Sequence, residues 1–198
     1  MEWCQVVRTN PERRNALIDA AIEVLAREGA RGLTFRAVDK EAAVPAGTSS
    51  NYFPNRDELL IQAGNRFYER LLPAAEAGPP VMEGPRTRET YVALMAAVVE
   101  RITDFRTGYL ALLELRLEAT RRPELQAILT KRVRTDLDFN LRSHDDSGLP
   151  GDADSVHLLY LALNWLILER LTLPDLFTEE QAAELIRMAV ERAIPLDS

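Results

Sequence analysis

Pro45 is the residue that most restricts how this 198-residue chain can fold. It has no amide donor and biases Val44 away from helix, so no helix runs unbroken through "EAAVPAGTSSNYFPNRDELL". Before the break, Thr34–Ala42 reads as a helix of about two turns, with Thr34 as N-cap and Phe35, Val38 and Ala42 on one apolar stripe. After it, Ala46–Phe53 reads as another short helix, closed by Pro54. Most of that second helix is small or polar: Gly47, Thr48, Ser49, Ser50 and Asn51, then Tyr52. Such a helix has little to bury. It suits a surface that meets something else.

The rest of the chain is patterned for helices, and no convincing alternation of period two is present. Asn10-Pro11-Glu12 is a helix start, with an N-cap, a proline at the first helical position and an acid in the first turn. Ile18, Ala21, Ile22 and Leu25 then recur at helical spacing until Gly29 offers a stop. Asn55 and Glu58 approach a capping box for a helix over Arg56–Glu76, with Leu59, Leu60, Ala63, Phe67 and Leu71 inward. Ala77–Thr87, rich in Gly and Pro, is a connector. Further helices are expected over Arg88–Arg106, Tyr109–Thr120, Pro123–Ser143, Ala153–Leu171 and Thr178–Ile194, with the loop "HDDSGLPGD" between the third and fourth of these. The expected fold class is all-α.

Composition narrows the partners. Leu158–Leu168, the most apolar run, contains Asn164 and is followed by Glu169 and Arg170, too short for the ~20 residues of a membrane span. No secretory leader is apparent, and the single Cys4 cannot make an internal disulfide, so a cytoplasmic protein without membrane contact is expected. The net charge of −7 argues at first against nucleic acid. Residues 1–60, however, hold 8 Lys and Arg against 9 Asp and Glu, so the acidity lies mostly further on. Charge alone neither supports nor excludes DNA.

Two short helices joined by a tight turn, with a longer helix in front, form a helix-turn-helix arrangement, whose second helix enters the major groove. Gly47 would bring the backbone close to a phosphate; Thr48, Ser50 and Asn51 offer donors and acceptors; Tyr52 carries a hydroxyl on a rigid stem. Phe53 and Val44 would anchor the helix, and Arg56 would stand beside phosphates at the next helix start. Blander roles stay open: Arg36 as an ion-pair partner near Asp39, Tyr52 as a cap over the small core, Trp3 and Cys4 as arm or packing.

Residues 11–60 resemble the DNA-binding domain of the TetR (tetracycline-repressor) family of bacterial regulators. The resemblance is carried by "AAIEVLAREGARGLTFRAV" and by V-x-x-G-T-x-x-x-Y-F-P-N-R-D-E-L-L. It implies residues 1–55 as a helix-turn-helix DNA-binding domain and 56–198 as a helical ligand-binding and dimerisation domain. It places Thr34 at the entry to the second helix, Arg36 on a base or phosphate, and Ala46, Gly47, Thr48, Ser50 and Asn51 where relatives read bases and hold phosphates. Tyr52 and Arg56 fall on phosphate positions. Pro45, Ala46, Ser49 and Ser50 depart from the family's usual cap, basic, apolar and aromatic residues. Ser49, polar where an apolar residue is usual, could bond back to a main-chain carbonyl.

The last two helices carry apolar residues around most of their circumference. That suits either a homodimer through 153–171 and 178–194 or the central pair of a monomeric bundle. By resemblance, a small-molecule inducer would bind among the helices from Arg88 to Leu171, with Tyr109, Arg116, Asn140, Asn164 and Trp165 as candidate contacts. The implied function is a ligand-responsive repressor bound as a dimer to a pseudo-palindromic double-stranded operator. The rivals are weaker. No catalytic residue, cofactor or metal site is expected, since His144 and His157 lack ligand spacing and neither a phosphate loop nor a serine elbow occurs. A helical small-molecule-binding or interaction module without operator binding is the alternative.

Overall fold

The computed structural model describes residues 10–71 and 85–194, all of whose regular structure is helical. The helices are α1 (Pro11–Gly32), α2 (Phe35–Glu41), α3 (Thr48–Tyr52), α4 (Arg56–Leu71), α5 (Arg88–Asp104), α6 (Arg106–Ala119), α7 (Pro123–Ser147), α8 (Ala153–Thr172) and α9 (Glu179–Ala193). Trp3, Cys4, the expected continuation of α4 to Glu76 and most of the connector lie outside the described residues. By packing, the chain divides into two units: residues 1–69 with 107–130, and 70–106 with 131–198. The functional boundary expected at residue 55 is a different division, because α6 and the start of α7 pack in the first unit.

In the first unit the caps do what the sequence requires. The Asn10 side chain accepts from the Arg13 amide at 3.2 Å, and Thr34 Oγ1 accepts from the Ala37 amide at 3.1 Å. Helix α1 breaks at Gly29, whose φ of 69° is left-handed, and a further turn runs on to Gly32. Leu17, Ile22, Leu25, Leu33, Val38, Phe53, Leu59, Leu60 and Phe67 are buried, as are Leu115 and Leu125. Each such side chain contributes roughly 1.5–3 kcal/mol on burial. Helix α3 is five residues long and begins later than expected, because Ala46 and Gly47 belong to the turn.

The second unit is built on α5, the later part of α7, α8 and α9. Tyr91, Leu149, Leu159, Val190 and Ile194 form its core. Asp152 and Ser155 make a capping box at the start of α8, and Ser155 Oγ also donates to the Ala193 carbonyl at 2.7 Å. Helix α7 corrects the sequence reading at its end. His144, expected in a loop, is helical and 8% exposed. Its ring stacks on that of Tyr91 and its Nδ1 lies 3.2 Å from the Tyr91 hydroxyl. That contact gives an imidazole a reason to be inside, so the helix continues to Ser147 rather than ending at Ser143. Burial pushes the Tyr91 phenol up to about 12. Helix α6 differs in its start: it begins at Arg106 rather than Tyr109, with Gly108 buried inside it.

Candidate nucleic-acid interface

The interface is assembled from α2, α3 and the turn between them. Ala43 closes α2 in the left-handed region at φ 51°, and the Val44 amide donates to the Asp39 carbonyl at 3.0 Å. Pro45 follows, its carbonyl accepting from the Thr48 amide at 3.1 Å and from Thr48 Oγ1 at 2.6 Å. Gly47, the N-cap of α3, has φ 90° with open space around its Cα. Glycine is required there by backbone conformation; the close approach to a phosphate read from sequence is a separate matter.

Ala46, Gly47, Ser50 and Asn51 are exposed, while Thr48 and Tyr52 are half-buried. Ser50 Oγ donates to the Gly47 carbonyl at 2.8 Å, so the Thr48 and Ser50 hydroxyls point their protons into the helix and their lone pairs outward. The turn is pinned from beneath. Phe53 is 1% exposed, and the Arg14 guanidinium carbon lies 5.0 Å from its ring centre.

Two residues differ from the sequence reading. Ser49 does not bond to a main-chain carbonyl: it is fully buried, and its hydroxyl and amide both donate to Oδ1 of Asp39. Asp39, itself 2% exposed, also accepts from the Gly47 amide at 2.7 Å. Burial alone would raise its carboxyl, but the hydrogen bonds from Ser49 and from the Gly47 and Thr48 amides outweigh that and hold it below the ordinary value. Asp39 is thus no surface partner for Arg36. Arg56, read from sequence as standing beside phosphates, turns its guanidinium toward the end of α1. Its Nε donates to the Leu33 carbonyl at 3.0 Å and an Nη donates to the Ala30 carbonyl, both at the end of α1, where carbonyls lack helical partners.

Arg36 and Lys40, one turn apart on α2, are exposed and make no ion pair among the described residues. Lys40 is not among the contacts that the sequence pattern points to, although its i, i+4 spacing from Arg36 is legible there. Arg27, by contrast, is held by Glu28 and Glu41. A near-neutral segment can therefore present a basic strip, since several of its acids are taken internally.

The ligand candidates fare unequally. In the first unit Tyr109 is buried and Arg116 is exposed. In the second, Asn140 and Asn164 are half-buried, with Asn164 Nδ2 donating to the Tyr160 carbonyl at 2.7 Å. Trp165, also a candidate ligand contact, is 64% exposed. It shares one face of α8 with Leu158 and Leu161, because positions three and four apart align on a helix. A shallow cavity of about 350 Å³ lies elsewhere, against Phe177, Glu180, Gln181, Glu184 and Leu185 of the second unit. Among the described residues no cluster of His, Cys, Asp or Glu could hold a metal ion, and no helix is long and apolar enough to cross a membrane.

A buttressed pair of short helices with an exposed polar tip and an unpaired basic strip defines a helix-turn-helix DNA-binding protein. Residues 17–63 match the family model described as bacterial regulatory proteins, tetR family, and residues 86–196 match the tetracyclin repressor-like C-terminal domain. The chain belongs to the TetR family. It is similar to the HTH-type transcriptional regulator BetI of Rhizobium meliloti, 29% identical over 141 residues, covering 69% of this chain and 68% of that one. It is also similar to the HTH-type transcriptional repressor KstR of Mycolicibacterium smegmatis, 37% identical over 60 residues, 30% of this chain and 29% of that one. The crystal structure of the multidrug binding protein EbrR complexed with imidazole aligns over 96% of this chain and 98% of that one, at 27% identity and a TM-score of 0.63. The curated relatives are matched over 27% to 68% of their own length.

Proposed function

We propose that this chain is a ligand-responsive transcriptional repressor, acting in the cytoplasm as a homodimer on a pseudo-palindromic operator and released by a small molecule. The observation that carries the reading is the recognition unit itself: a buried polar anchor beneath α3, with Thr48, Ser50 and Asn51 directed away from it. Arg36 and Lys40 are the proposed phosphate contacts, Asn51 the main base reader, and Thr48, Ser50 and Tyr52 its flanking contacts. Thr34 serves first as the cap of α2. Two copies would place their α3 helices in successive major grooves, so half-sites should lie about one helical turn apart or slightly more.

The apolar face of α8 formed by Leu158, Leu161 and Trp165 supports dimerisation through α8 and α9. Monomeric proteins rarely leave such a stripe uncovered. EbrR has been crystallised with ethidium as well as imidazole, which supports a sensor role for the C-terminal region here. Asn140 and Asn164, half-buried polar groups of the second unit, are the proposed ligand contacts. Arg116 and Trp165, turned to solvent, drop out of that set, and Tyr109 belongs to the core of the first unit. Release requires that the ligand bind the form unable to grip DNA better than the competent one. Movement of α4 is the proposed link.

The test is selection of bound duplexes from a random DNA pool, followed by titration of the selected duplex at two salt concentrations. A two-fold symmetric site whose affinity falls with salt supports the reading. A well-folded dimer that enriches no sequence overturns it.

A further inference from the structure

The recognition helix is too short to hold itself. An isolated helix of five residues is far below the ~12–15 at which helices become even marginally stable in water, and its N-cap is a glycine with no side chain to close it. The missing cap is supplied from another helix. Asp39, on α2, sends Oδ2 to the Gly47 amide at 2.7 Å and Oδ1 to the Ser49 amide at 2.7 Å and to the Ser49 hydroxyl. Three donors of α3 and its turn thus converge on one carboxylate, and Ser49, the only buried residue of α3, is one of its partners twice over. A buried carboxylate tolerates its site only when its lone pairs are met in this way.

We infer that Asp39 is the positioning residue of DNA recognition: it fixes the axial position and rotation of α3, and so where Thr48, Ser50 and Asn51 stand in the groove, without touching DNA itself. The inference rests on the operator-binding function proposed above. One consequence concerns the DNA backbone. Because the Gly47 and Ser49 amides already serve an internal carboxylate, the start of α3 does not offer them to a phosphate. Asp39 and Ser49 also act as one device, since the serine hydroxyl has no other partner among the described residues and is useful only while the carboxylate is there to accept it.

Asp39→Asn is the sharpest probe, because shape is kept while one oxygen becomes an NH₂. An asparagine can accept from Ser49 or from Gly47, but its amide nitrogen then faces the other donor. The full-length wild type and the variants Asp39→Asn, Ser49→Ala and the double variant are titrated by fluorescence anisotropy with the duplex recovered by wild-type selection. Titrations are run at a temperature where circular dichroism shows each variant fully folded, and each is repeated with a scrambled duplex. Asp39→Asn should weaken selected-duplex binding at least tenfold and scrambled-duplex binding less than threefold. Ser49→Ala, the milder change, should cost two- to fivefold, and the double variant no more than Asp39→Asn alone. The inference fails if folded Asp39→Asn binds the selected duplex within twofold of wild type, if both duplexes weaken equally, or if the two substitutions simply add. It fails too if Asp39→Asn is unfolded at every temperature tried while Ser49→Ala binds like wild type. If the wild type selects no duplex at all, it is the operator-binding reading that falls.

Discussion

The guanidinium of Arg56 and the carbonyl of Ala30 are bonded across 26 positions of sequence, and Glu114 Oε2 takes the Ala30 amide at 2.9 Å from the other side. The two peptide links that flank Ala30, just after the break at Gly29, are thereby gripped, one by α6 and the other by the start of α4. Arg56→Ala would leave the Ala30 and Leu33 carbonyls without that donor, so the chain should lose about 1–3 kcal/mol in urea unfolding. Operator affinity of the folded variant should stay close to wild type. A tenfold affinity loss with unchanged stability would mean that Arg56 is a phosphate contact after all.

Ala43 pays for the turn between α2 and α3. An L-residue in the left-handed region carries a steric cost of about 1–2 kcal/mol. Ala43→Gly removes it but enlarges the freedom of the unfolded chain, so a net gain of about 0.5–1 kcal/mol should remain. A thermal melt that moves downward instead would show that the methyl group packs usefully.

Asn51 stands exposed near the end of α3, and its side chain makes no hydrogen bond among the described residues. Asn51→Ala should cost about 1–3 kcal/mol in operator binding, the worth of a bidentate base contact. Sedimentation should show the same oligomer as wild type. Equal weakening on scrambled DNA would assign Asn51 to the backbone rather than to the bases.

Leu161, at 65% exposure, sits between Leu158 and Trp165 on the uncovered face of α8. Leu161→Glu places a charge in the middle of that stripe, which an apolar interface cannot accommodate without a partner. Equilibrium sedimentation should show a monomer with undiminished helix content, and operator binding should fall with it. A variant that remains a dimer would move the interface away from this face.

Stability should narrow at both ends of the pH scale. Asp39 is desolvated but held low by its hydrogen bonds; Glu118 is likewise desolvated and held low by Arg121 and Arg122. A carboxylate with a depressed folded pKa stabilises fully above its unfolded value, ordinarily 3.8 for Asp and 4.5 for Glu, and loses that contribution as pH falls through the folded one. Tyr91 works the other way. Its raised pKa keeps it neutral in the fold, so stability should be lost as pH rises from 10 towards about 12. Urea unfolding across pH checks both limbs: Asp39→Asn should flatten the acid one and Tyr91→Phe the alkaline one. Unchanged limbs would show that other groups set them.

Most of the helices were legible because their signals are local. Asn10, Thr34, Asp152 and Thr178 cap the helices that follow them, and Pro45 and Pro54 bound the recognition segment through missing donors and fixed torsions. The second apolar face of α8 was readable too, since a 3.6-residue period places Leu158, Leu161 and Trp165 together whatever surrounds them. What could not be read were pairings between residues far apart. Nothing near Ser49 announces that a carboxylate ten positions earlier will be buried beneath it, nor that Arg56 will turn to the end of α1. The polar sequence around His144 reads as a loop, and only Tyr91, 53 positions away, gives its ring a place inside. Periodicity and capping depend on neighbours in the chain, so the sequence by itself determined where the helices run and which faces are apolar. Whether a polar side chain is spent inside or left for DNA depends on which donors and acceptors packing brings within hydrogen-bond distance, and that only the tertiary structure decided.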